Sequence, residues 1–78
     1  MRYIELMSNE EIATEIEQIK REYRDLSKII IPTQKEETSR GSKVVTLFKN
    51  LDPIIKVEAD DELLKRFIKE FEHEQEGY

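Results

Sequence analysis

Ser8-Asn9-Glu10-Glu11-Ile12-Ala13-Thr14-Glu15-Ile16-Glu17-Gln18-Ile19-Lys20-Arg21-Glu22-Tyr23-Arg24-Asp25-Leu26-Ser27-Lys28-Ile29-Ile30 carries Ile12, Ile16, Ile19, Tyr23, Leu26 and Ile30 at steps of four, three, four, three and four. That is a heptad repeat, and it puts these side chains on one stripe of a helix. Ser8 stands where it can cap the first turn, and Glu11, three residues on, where its carboxylate can reach back to the Ser8 amide. Met7 and Ile12 flank this box at the spacing of a hydrophobic staple. Pro32 disfavours helix for the residue before it, so the pattern predicts a helix from about Asn9 to Ile30. The β-branched triplet Ile29-Ile30-Ile31 is the weak point, where the helix can unravel into a short strand.

Downstream, Thr33–Ser42 is polar throughout and reads as a long flexible loop. Lys43-Val44-Val45-Thr46-Leu47-Phe48-Lys49 has strand composition, Asn50-Leu51-Asp52-Pro53 a turn composition, and Ile54–Glu58 strand composition again. Together they predict a β-hairpin; the competing reading is a short helix capped by Ser42 and running to Leu51. Asp60-Asp61-Glu62 then opens a second helix whose apolar stripe is Leu63, Leu64, Phe67, Ile68 and Phe71. From Glu72 to Tyr78 the chain is polar and is expected to fray. Upstream, Arg2–Leu6 alternates like a strand, the other reading being a disordered lead-in. The expected architecture is one small α+β domain over residues 1–78, a two-layer sandwich in the order β-α-β-β-α.

Seventy-eight residues are near the lower limit for a self-sufficient core. The chain has no cysteine, so neither a disulfide nor a thiolate metal site is available. Glu5 interrupts the apolar start where a signal peptide needs an unbroken run, and no run approaches the roughly 20 apolar residues that span a bilayer. The expectation is an intracellular, cytoplasmic protein with no membrane partner. Charged residues make up 40% of the chain and the net charge is −5. Nucleic-acid binding normally needs a concentrated positive footprint, which this balance does not provide.

The candidate sites are few. His73, with Glu70, Glu74 and Glu76 nearby, has the makings of an acidic metal cluster, but it lacks the second imidazole or thiolates of tight zinc sites; its plainer reading is a solvated helix end. Ser27, Ser39 and Ser42 have no histidine near them in sequence, and nothing singles out a catalytic pair among 18 acids. No catalytic residue, cofactor or metal ligand is therefore assigned, and the chain is not expected to be an enzyme. Arg40-Gly41-Ser42-Lys43 lacks the glycine spacing of a phosphate-binding loop.

What remains is binding. The predicted helix would be about 33 Å long, against about 17–20 Å for strands of five or six residues, so part of its stripe would overhang the sheet. The stripe Ile12, Ile16, Ile19, Tyr23, Leu26, Ile30 is thus the expected self-interface of a homodimer. Asp60, Asp61, Glu62, Glu70, Glu72, Glu74 and Glu76 form the expected acidic surface for a protein partner. In composition the chain is similar to small proteins of phages and other mobile elements. The leading expectation is a small acidic accessory or regulatory protein-interaction module; a specific form is an inhibitor of a nucleic-acid-binding protein that occupies its phosphate channel. The alternative is a transcriptional or replication regulator that contacts nucleic acid through Lys20, Arg21, Arg24, Arg40 and Lys43.

Overall fold

A computed structural model describes residues 1–32 and 34–76. In chain order the elements are β1 (Arg2–Glu5), α1 (Asn9–Glu22), a 3-10 turn (Leu26–Lys28), β2 (Ile29–Ile30), β3 (Glu36–Glu37), β4 (Lys43–Lys49), β5 (Asp52–Ala59) and α2 (Asp61–Glu76). The architecture is the expected α+β arrangement, with two helices and a mixed sheet. The sheet order is β1-β5-β4-β2: β1 runs parallel to β5, β4 is antiparallel to β5, and β2 and β3 pair with opposite ends of β4. Thr33 lies outside the described part of the expected flexible loop, as do Gly77 and Tyr78 of the expected tail.

Strand alternation decides what is inside. Ile4 of β1, Val45 and Leu47 of β4, and Ile55, Val57 and Ala59 of β5 join Ile12, Ile16 and Ile19 of α1 and Leu64, Phe67 and Phe71 of α2 in one buried cluster. Both helices therefore cover the same sheet face. The residues paired between them, Tyr3, Lys56 and Thr46 in one cross-strand row, point to the opposite, helix-free face.

The first helix is shorter than its heptad pattern predicts. It ends at Glu22, and Tyr23 is already extended at φ −126° and ψ 109°. Fourteen residues of helix span about 21 Å, and the seven residues of β4 about 23 Å. The helix stops once it has crossed the sheet, so the overhang disappears. Leu26 returns to the core from the 3-10 turn, where Asp25 accepts from the Ser27 amide at 3.1 Å, and Ile29 and Ile30 become an edge strand. The expected unravelling of the isoleucine triplet thus begins earlier and yields β2.

The cap also differs in detail. The Ser8 hydroxyl makes no bond to the helix backbone; the Glu11 carboxylate accepts instead from the Met7 amide at 2.9 Å and the Ser8 hydroxyl at 3.4 Å. Met7 is exposed rather than stapled, and Leu6 is the buried residue at this entry. At the other end α2 continues through Glu76 instead of fraying at Glu72. The Gln75 side-chain amide donates to the Leu26 and Ile29 carbonyls, at 2.7 and 2.6 Å, and so ties α2 to the 3-10 turn and β2.

The hairpin is present with a tighter turn than expected. Only Asn50 and Leu51 lie between the strands, at φ 53° and 71°. Two consecutive positive φ values are the signature of a type I′ turn, whose favoured pair is Asn-Gly. Pro53 is accommodated inside β5 because β1 reaches only as far as Ile55, leaving the missing amide without a strand to serve. Leu51 is 90% exposed, so its side chain gains nothing within the protein. Leucine in the left-handed region costs about 1–2 kcal/mol. Leu51→Gly is accordingly expected to stabilise the protein by about 1 kcal/mol and raise Tm by about 4–8 °C; calorimetry on the two chains measures this directly.

Candidate functional site

The helix-free face has two distinct ends. At the Ala59 end of the sheet, Glu58 of β5 is buried although charged, 4% exposed. Its carboxylate accepts from the Tyr3 hydroxyl on β1, from Ser42 Oγ at 2.8 Å and from Arg40 Nη2 at 2.9 Å. The last two residues come from the turn between β3 and β4. That turn is itself closed by the Thr38 amide donating to the Ser42 carbonyl at 2.8 Å and by Gly41 at φ 82°. A segment read from sequence as a flexible loop is, from Glu36 on, a short strand and a turn latched onto a buried carboxylate.

The Tyr3 and Ser42 hydroxyls hold Glu58 below the ordinary glutamate value of 4.5, with the Arg40 charge acting in the same direction against desolvation. The same contact raises the Tyr3 phenol above 10.0. A carboxyl with a lowered folded pKa contributes stability above the unfolded value and loses it as pH falls through the folded one. Asp25, held down mainly by Ser27, and Asp61, held down mainly by Lys65, contribute to the same acid limb. Glu58→Gln is expected to destabilise the chain at pH 7 and to show a shallower loss of stability below pH 4.5 than the wild type. Urea midpoints at a series of pH values check this; an offset between the two proteins that stays constant down to pH 3 would count against the latch.

At the opposite end, Ile30 of β2, Phe48 of β4 and Pro53 of β5 lie side by side in register on the same face, next to the Asn50–Leu51 tip. Ile30 is 62% exposed and Leu51 is 90% exposed. Antiparallel sheets usually turn polar side chains to water; this end of the face is apolar.

The residues singled out from sequence fall as follows. Ile12, Ile16, Ile19 and Leu26 are buried in the protein's own core, Tyr23 packs at its margin beneath Lys49 Nζ, 5.3 Å from the ring centroid, and Ile30 is on the far side of the sheet. The six do not form one surface, because the helix that would align them ends before Tyr23.

The acidic set divides between the two ends of α2, Asp61 and Glu72 being about 16 Å apart along the axis. Asp60 Oδ1 accepts from the Leu63 amide at 2.9 Å as a helix cap, Asp61 pairs with Lys65 at 3.0 Å and Lys35 at 3.5 Å, and Glu74 pairs with Lys20 at 2.5 Å. Glu62, Glu70, Glu72 and Glu76 stay exposed, interleaved with Arg66 and Lys69.

The basic residues are divided too. α1 leaves β1 beside Glu58 and returns until Glu22 meets Arg2 at 2.6 Å, so Lys20, Arg21 and Arg24 sit at the hairpin-tip end. Arg40 and Lys43 sit at the other end of β4, about 20 Å away, paired with Glu58 and Glu37. His73 is exposed on α2 near Glu70. Among the described residues no three His, Asp or Glu side chains converge as a metal site, and no helix is long and apolar enough to cross a membrane.

Sequence reasoning passed over Leu51 and Glu58. Two residues flanked by strand-like runs signal a tight hairpin, and that signal was obscured by Pro53; nothing in the sequence separates Glu58 from the other acids. No protein-family model, curated protein or solved structure matches this chain.

Proposed function

We propose that the protein is an accessory or regulatory protein-interaction module, and that it engages a protein partner through the hairpin end of its helix-free sheet face. The observation that carries this reading is Leu51. A large apolar side chain stands almost fully in water, on a backbone conformation that glycine would occupy at lower energy. Among the described residues no contact offsets either cost. A residue held in a strained and solvent-exposed state is accounted for when a contact outside the chain uses it. Ile30, Phe48 and Pro53 extend the apolar surface beside it, in the arrangement of an anchor with neighbouring contacts that exclude water.

The reading separates stability from function. Leu51→Gly is expected to fold more stably than the wild type and yet to lose the partner. The test uses both chains as baits in extracts of the native host and compares the proteins retained. A protein retained by the wild type and released by Leu51→Gly supports the reading, since greater stability excludes unfolding as the cause. Retention of the same proteins by both chains would overturn it.

A further inference from the structure

One flank of α2 carries Lys65, Lys69, Glu72 and Glu76 at steps of four, three and four, which places them on a single stripe of the helix. All four are exposed. The stripe borders Ile68 of α2, which with Ile31 and Pro32 floors a shallow depression of about 270 Å³ rimmed by Lys35, Lys65, Lys69 and Glu72. A second depression, of about 380 Å³, continues past Glu72 to Gln75 and Glu76. Asp61, one turn earlier on the same stripe, is paired with Lys65 and Lys35, so with Lys69 that end keeps a net positive charge while Glu72 and Glu76 make the other end negative.

We propose that this flank is a contact with a second copy of the chain, the two α2 helices lying antiparallel about a two-fold axis. An isologous contact must be complementary to itself. An axis passing midway between Glu70 and Phe71 sets Lys65 against Glu76 of the second copy and Lys69 against Glu72 in one and the same register, and symmetry repeats both pairs. A parallel arrangement in register would oppose like charges. The existing partner of Lys65, Asp61, lies on the same exposed helix surface, so Lys65 can reach a second carboxylate without leaving a buried charge behind. Ile68, Ile31 and Pro32 supply the apolar floor and the charged pairs its rim, the division of labour seen in paired helices.

The stripe is about 16 Å long, so the contact falls well short of the roughly 800 Å² per partner of a standard stable interface. The dimer is therefore weak, concentration-dependent and sensitive to salt. It does not include Leu51; Ile30 borders the second depression as well as the sheet face, but the function proposed above is tested by Leu51→Gly, which leaves the α2 flank unchanged.

The experiment is sedimentation over a hundredfold concentration range at low salt, on the wild type and three variants. Lys65→Glu with Lys69→Glu makes the stripe wholly acidic, Glu72→Lys with Glu76→Lys makes it wholly basic, and all four substitutions together invert it. The wild type is expected to dimerise. Each double variant alone should show a dissociation constant raised by at least about tenfold. An equimolar mixture of the two should associate, and the fourfold variant should recover the wild-type behaviour. Circular dichroism confirms that each variant is folded. A wild type that stays monomeric throughout, or a dimer indifferent to both double substitutions, would overturn the proposal.

Discussion

Ile19→Lys is expected to unfold the chain, and Ile30→Lys to leave it folded. Both residues belong to the same heptad stripe in the sequence. Ile19 is 0% exposed in the core, whereas Ile30 is 62% exposed on the helix-free face. Removing a buried isoleucine costs about 2–5 kcal/mol, and an unpaired buried ammonium adds several more. A chain of this length has a total stability of about 4–12 kcal/mol. The loss at Ile19 is therefore comparable with everything that holds the fold together, while a surface substitution usually stays within about 0.5 kcal/mol. Far-UV circular dichroism and sedimentation at one concentration decide the matter. An Ile19→Lys chain that keeps its helical signal, and merely changes from dimer to monomer, would place the stripe at a self-interface after all.

The contrast between these two residues shows why part of the fold was legible and part was not. β4 was readable residue for residue, because Lys43–Lys49 combines β-branched and aromatic content with clear bounds. α2 was readable from its acidic start and its apolar stripe, although its last turn depends on the Gln75 side chain reaching across to Leu26 and Ile29, contacts 49 and 46 residues away in sequence that no local pattern announces. The end of α1 was missed because the repeat continues numerically through Leu26 and Ile30 while the backbone does not. Periodicity reports which residues are apolar; it does not report that a helix has reached the edge of the sheet it covers. A local warning was present in Asp25-Leu26-Ser27, where an aspartate two residues ahead of a serine favours a turn over helix continuation.

The interaction surfaces were less legible for a related reason. The Glu58 latch joins β1, β5 and the β3–β4 turn, positions 3, 40, 42 and 58, which only the sheet order brings together. The apolar patch at Ile30, Phe48, Pro53 and Leu51 requires the register of β2 on β4 and of β4 on β5. Leu51 in particular looks ordinary in a turn until its φ of 71° is known.

Phe67→Ala is expected to cost about 3–5 kcal/mol, the second large effect. Phe67 and Phe71 are both 0% exposed, and their rings lie 6.0 Å apart between centroids with an interplanar angle of 22°. One turn of α2 thus puts two aromatic side chains against the floor made by Val45, Leu47, Ile55 and Val57. Against a urea dependence of about 1 kcal/mol per molar for so small a domain, the midpoint should fall by about 3 M or more. Phe67→Leu keeps most of the volume and gives a version that stays measurable. Combined with Phe71→Leu in a double-mutant cycle, it should reveal a coupling of about 0.5–1.5 kcal/mol between the two rings. A Phe67→Ala midpoint shifted by less than about 1 M would mean that the surrounding isoleucines and valines close over the vacated space. In that case α2 would be held chiefly by Leu64, Phe71 and the Gln75 bonds to Leu26 and Ile29, and Gln75→Ala, which leaves two carbonyls without their donor, would become the more damaging substitution.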